Sequence, residues 1–296
     1  MRLIKKEWMA GAVAGAALAL AGLALAQVPT TGIYVTKHNL GSTGTGNHVS
    51  AADTAEICVF CHTPHGADTS ATAPLWNKRI PTGATYQVYS TVNSTTIDGA
   101  VASVGSVSVT CLSCHDGTQA MDNIINAPGS GGVLADGGGL DGRSYTWTGG
   151  TVNAAGRMTG IAALGTDLVD DHPIGIEYCG GGLTGTTPNA AAGPIPAAVN
   201  CKDADFKRPY SGTINGQGVW WVETGSNDTA RTRTDMILYN RNFTVGGPVG
   251  PAVECASCHD PHVSENQTGP NSQVAGKTFL RISNDGSAVC LACHTK

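Results

Sequence analysis

The chain is short of what ordinarily fills a protein interior. Aromatic residues make up 5% and charged residues 13% of its 296 positions, with only 4 phenylalanines. A chain of this length can bury a normal core, yet it has few Phe and Leu side chains to build one. Something other than side chains must fill part of the interior. Basic residues are not in excess either: 17 Lys and Arg stand against 22 Asp and Glu, a formal net charge of −5. That balance argues against a basic face for nucleic acid or for an anionic membrane surface. After the first 26 residues no stretch is apolar enough to span a bilayer. Glycine, by contrast, reaches 40 residues, and with the many threonines and serines it suits irregular, wrapping chain better than long helices.

The one long apolar run opens the sequence. Arg2, Lys5 and Lys6 precede a run from Ala10 to Ala26, and Ala24-Leu25-Ala26 matches a small-residue cleavage site that leaves Gln27 first. The competing reading is a membrane anchor, but small residues dominate the run and a cleavage site closes it. No cysteine follows that site, which argues against a lipoprotein anchor. The expectation is a signal peptide at 1–26 and an exported chain at 27–296 with no transmembrane segment. Its place is extracellular or the outer cell surface, with the periplasm as the alternative.

Eight of the 10 cysteines fall into one repeated device. CxxCH, the attachment signature of a c-type haem, occurs as Cys58/Cys61/His62, Cys111/Cys114/His115, Cys255/Cys258/His259 and Cys290/Cys293/His294. Two thiols form the thioethers, and the adjoining histidine is the proximal iron ligand. Four covalently attached haem c groups are therefore expected, each a large flat apolar body that can replace side-chain core. Export agrees with this, because thioether attachment takes place outside the cytoplasm in bacteria. Four zinc sites are the bland alternative, but each would need a further ligand beside CxxCH. The two cysteines outside the motifs, Cys179 and Cys201, can form a disulfide in the same oxidising setting.

Beyond the four motif histidines, His38, His48, His65, His172 and His262 remain for four sixth positions. That number permits bis-histidine ligation throughout, and Met121, Met158 and Met236 are the alternative donors. His65 and His262 each follow a motif histidine by three residues. Three residues span at most about 10 Å, too little to pass comfortably round a porphyrin edge. Each, if a ligand, serves a haem other than its own and couples two haems closely. His38 and His48 are not separated by this count.

Asp53-Thr54-Ala55-Glu56 has the form of a capping box, predicting a short helix through Cys58 to His62 that Pro64 ends. Residues 85–89 and 104–109 alternate like short strands or extended coil. The interval at about 119–250 reads as a glycine-rich loop or β insertion, with strands at Val219-Trp220-Trp221-Val222 and Met236-Ile237-Leu238-Tyr239. Asn284-Asp285-Gly286 introduces a last helix through His294. The fold class expected is a multihaem cytochrome c: irregular chain, short helices at the CxxCH motifs and a few short strands, around stacked haems. The third and fourth haems should be neighbours.

An ordered set of motifs also carries a family resemblance. Lys37-His38-Asn39-Leu40, CVFCHTPH at 58–65, Pro74-Leu75-Trp76-Asn77 and CLSCHDGT at 111–118 are followed by HPIG at 172–175 and CASCHDPH at 255–262. LRISNDGSAVCLACH closes the series. In this order they resemble the extracellular multihaem cytochromes that polymerise into conductive filaments, in particular the tetrahaem OmcE type. The resemblance implies bis-histidine haems in a continuous chain, little regular secondary structure, and an axial histidine able to cross between subunits. It also implies that His38, His65, His172 and His262 are the distal ligands and His48 the spare. Partners would be further copies of the chain, other multihaem cytochromes and extracellular electron acceptors. The function expected is electron transfer without substrate chemistry. A discrete periplasmic shuttle is the alternative. A multihaem reductase, less favoured, needs a five-coordinate haem that the supply of histidines does not require.

Overall fold

Side-chain core is concentrated under the haem-attachment motifs rather than in one central layer. The computed structural model describes residues 32–80, 85–89, 95–128, 142–185, 195–225, 230–243, 249–263 and 279–296, within one compact unit, Thr31–Lys296. The expected signal peptide at 1–26 and the glycine run at 129–139 lie outside the described residues. Among those described, no helix is long and apolar enough to cross a membrane.

The regular elements are few. A two-residue strand pair joins β1 (His48–Val49) to β2 (Trp147–Thr148). A five-stranded antiparallel sheet contains β3 (Ile176–Glu177), β4 (Tyr210–Ile214), β5 (Gln217–Val222), β6 (Met236–Asn242) and β7 (Val249–Val253), in the order β3-β7-β6-β5-β4. Helices are short: α1 (Ser106–His115), a kinked turn α2 (Tyr178–Gly181), α3 (Cys255–Cys258) and α4 (Ala288–Cys293). This agrees with the coarse expectation of irregular chain, short helices and a few strands. The strands expected at 219–222 and 236–239 lie within β5 and β6, where Trp220 faces Leu238 and Val222 faces Met236. Directly opposed apolar pairs of this kind stabilise an antiparallel ladder.

Three apolar clusters each sit beside a motif. Leu40, Val49, Phe60 and Ile124 pack with Val59 and Cys61 at the first. Val88, Leu112 and Leu168 pack under the second, on α1. The largest joins Tyr178, Cys179, Trp220, Val222, Met236, Leu238 and Val253 with Ala292, Cys258 and Cys293 of the last two motifs. The sheet is thus the floor on which α3 and α4 rest. Cys179 and Cys201 are joined, their Cα atoms 4.6 Å apart. The turn at 179–182 approaches its neighbour so closely that a Cβ on Gly180 would stand 2.4 Å from the Asp203 Cβ.

Two local expectations are corrected. The alternating stretch 104–109 is not a strand: its second half, from Ser106, opens α1, with hydroxyls of Thr110 and Ser113 bonded back to the carbonyls of Val107 and Thr110. Gly117, at φ +67°, then ends the helix in the left-handed region that glycine tolerates. The capping box at Asp53 does not form. Its carboxylate accepts instead from Ser50 and Thr146, and only a 3-10 turn, Cys58–Phe60, develops. The C-terminal helix is close to expectation, a 3-10 turn at Asp285–Ser287 leading into α4.

Candidate haem-binding site

Each motif is fixed by a few buried polar anchors. At the first, Asn77 is fully buried; its N–H donates to the Cys61 carbonyl at 2.8 Å and its amide to the carbonyls of Val59 and Asn126. Pro74 turns its carbonyl onto His62 Nδ1 at 2.8 Å. The second and third motifs are tied together through Glu254, 1% exposed, which accepts from Ser108 of α1 and pairs with Arg241. Ser108 Oγ in turn accepts the Cys255 N–H at 2.9 Å. Burial pushes the Glu254 carboxyl up, while Ser108 and Arg241 oppose the shift. At the fourth motif, Lys207 N–H donates to the Cys293 carbonyl at 2.8 Å, and Tyr178 Oη donates to the Lys207 carbonyl.

The histidines follow one pattern. Nδ1 of His115 lies 2.8 Å from the Ala162 carbonyl, that of His172 is 3.0 Å from Pro173 O, and that of His38 is 3.4 Å from Pro261 O. An imidazole held through one nitrogen presents the other to a metal, the usual outer support of a ligating histidine. Burial lowers the pKa of His115 and His172 and brings His38 down to about 4, His115 adding to that last shift. These rings are neutral at pH 7, the form that binds iron.

Two pairs of rings face each other. His62 and His262 have centroids 6.1 Å apart with planes at 16°; His38 and His115 are 6.2 Å apart at 77°. Two imidazoles on opposite sides of one metal, with bonds of about 2 Å, hold their centroids about 6 Å apart. The spacing fits an iron between each pair. His172 lies near enough to His294 to feel its charge. His262 thus faces the first motif's histidine rather than His259 of its own. His48 sits in β1 with Nδ1 2.8 Å from the Gly46 carbonyl, and His65 is exposed. Among the described residues neither makes a ring contact with another histidine. Met121 and Met236 are fully buried, Met236 within the sheet's core.

The motif cysteines form a contiguous series. Burial, then the nearby Cys114, raises Cys61 to about 12 as a free thiol. Cys111 and Cys255 share a sulfur hydrogen bond, the main cause of the upward shift at Cys111. Burial raises Cys293 to about 12, with Cys258 adding to it. Thiols of each motif therefore lie within electrostatic reach of the next motif's in chain order, and Cys111 and Cys255 touch. The outermost thiols, Cys58 and Cys290, are exposed, whereas the other motif cysteines are partly covered. Among the described residues no three or more of His, Cys, Asp and Glu gather as one metal cluster.

Asn77, Lys78, Glu254, Asp260 and Arg281 were not singled out from the sequence as site residues, although Asn77, Asp260 and Arg281 fall within the PLWN, CASCHDPH and LRISNDGSAVCLACH stretches of the resemblance. A family model described as "Doubled CXXCH motif" matches residues 247–296, which hold the third and fourth motifs and His262. No curated protein matches the chain. The matched motif indicates covalently bound c-type haem and supports a multihaem, electron-transferring cytochrome.

Proposed function

We propose that the chain carries four bis-histidine c-type haems and acts as the subunit of an extracellular cytochrome filament, passing respiratory electrons to external acceptors. The contiguity of the motif cysteines carries the electron-transfer reading. Cys61 neighbours Cys114, Cys111 neighbours Cys255, and Cys258 neighbours Cys293. Each cysteine is where a haem would be attached, so neighbouring cysteines would hold successive haems close together.

In this reading His262 serves the haem of His62, His38 that of His115, and His172 that of His294. His65 is left for the haem of His259, with His48 spare. Two histidines close both axial positions, so the iron exchanges electrons and binds no substrate. Such ligation also lacks the methionine that raises potential. Export, self-association and an axial histidine crossing between subunits rest on the signal-like N-terminus and on the family resemblance.

The test begins with a pyridine haemochrome assay, which should return four haems per chain. His262→Ala and His38→Ala should then each convert one low-spin ferric haem to high spin. The near-parallel pair gives a rhombic paramagnetic resonance signal and the near-perpendicular pair a strongly anisotropic one. H262A should therefore remove the first kind and H38A the second. Four haems whose spin states neither variant alters would sink the pairing.

A further inference from the structure

Lys78 is 0% exposed. Its Nζ donates to three backbone carbonyls, of Ala120 at 2.9 Å, Met121 at 3.2 Å and Asn123 at 3.4 Å. An ammonium has three donors, one for each carbonyl; a neutral amine has only two. The geometry is that of a charged lysine. Buried Arg281, 7% exposed, has the Asp260 carboxylate 3.8 Å away, and the less buried Arg241 lies on Glu254. Among the described residues no carboxylate lies within ion-pair distance of Lys78. The buried Asp122 carboxylate, beyond that distance, feels the Lys78 charge, and it and the carbonyl dipoles offset part of the cost of burial.

Its position ties it to one haem site. Lys78 follows Asn77, whose N–H holds the Cys61 carbonyl, and it pairs with Ile124 in an isolated bridge. Its charge reaches the Cys61 sulfur and opposes the burial-driven rise there. We propose that Lys78 is a fixed internal cation that raises the reduction potential of the haem attached through Cys58 and Cys61. An electron arriving from the adjoining haem would take that iron from ferric to ferrous, with no bond made or broken at Lys78. A nearby positive charge favours the electron-rich form. A unit charge on the order of 10 Å from a redox centre, in an interior of effective dielectric about 20, shifts the ratio of oxidised to reduced forms by more than about tenfold.

The inference rests on the haem assignment above, so every variant is first counted for haem. Lys78→Gln and Lys78→Arg are compared with the wild type by optical spectroelectrochemical titration of the holoprotein. The relevant wave is the one that H262A also displaces. K78Q should move that wave to lower potential, about tenfold in the oxidised-to-reduced ratio or about 59 mV for one electron. K78R, which keeps the charge, should leave it near its original place. A fully loaded K78Q with all waves unmoved, or a K78R that shifts as far as K78Q, makes the lysine a structural prop and overturns the proposal. A wild-type protein lacking the four haems defeats the haem assignment instead. Should K78Q fail to load, Lys78→Met, uncharged and of similar length, is titrated in the same way; a loaded K78M whose wave stays with the wild type overturns the proposal.

Discussion

Asp260 acts on His262 from two sides. Its Oδ1 accepts the His262 backbone N–H at 2.9 Å and stands 3.4 Å from the ring Nδ1, while Arg281 lies 3.8 Å from Oδ2. His62, His115 and His172 rest on neutral carbonyls instead. A carboxylate behind an imidazole makes it a more basic ligand than a carbonyl does, which favours ferric iron. Asp260→Asn should therefore raise the potential of the haem shared by His62 and His262, opposite to the expected effect of K78Q, in the same spectroelectrochemical titration. The acid response has a definite sign. Burial alone would raise the Asp260 carboxyl, but hydrogen bonds from His262 and the Arg281 charge hold it down at about 2, against 3.8 ordinarily. The stability this supplies is present above about 3.8 and is lost as pH falls through about 2. Acid unfolding followed by circular dichroism should show that loss in the wild type and a flatter profile in D260N.

At the scale of elements, the joint between α1 and α3 centres on the buried Glu254 carboxylate, beside the direct bond from the Cys255 N–H to Ser108 Oγ. Glu254→Ala would strand Arg241 and free Ser108, and breaking a buried pair in this way costs about 3–5 kcal/mol. Denaturant unfolding of the loaded protein should read that loss. The Cys179–Cys201 link, with a sequence separation of 22, steadies residues 202–207, whose backbone holds the fourth motif. Replacing both cysteines with serine should cost roughly 3 kcal/mol on the chain-entropy account. How far such elements are legible in sequence depends on where their determinants lie. CxxCH is legible because thioether chemistry fixes two thiols and a histidine at one spacing. The β5 and β6 cores are legible because Val-Trp-Trp-Val and Met-Ile-Leu-Tyr are apolar runs that suit a buried sheet. The start of α1 is not, because its alternating Val and Ser resemble a strand, and Ser108 finds Glu254 only 146 residues away. Asn77 and Lys78 escape for a related reason. Nothing in their neighbours in sequence reveals the carbonyls that they meet in space.

For the whole molecule, the question is whether electrons leave through its ends. Cys58 and Cys290, in the first and last motifs, are the exposed ones among the motif cysteines. A relay running in chain order thus has a surface-facing attachment point at each extremity, which suits subunits joined end to end. Each motif histidine lies near another histidine of the chain: His62 by His262, His115 by His38, His294 by His172, and His259 within electrostatic reach of His38. In the proposed pairing His65 completes the haem of His259, and a test can ask whether a neighbouring copy completes it instead. If His65 of the same chain completes it, His65→Ala should lose one low-spin haem at every protein concentration. If a neighbouring copy's His48 completes it, H65A should keep four low-spin haems, and His48→Ala should lose one. The wild type should then lose the same signal on dilution as assemblies come apart. Paramagnetic resonance across a dilution series, with negative-stain electron microscopy of the same samples, reads both. Filaments are the expected image. Discrete particles at every concentration, with all four haems low-spin, would assign the chain to the role of a freely diffusing shuttle.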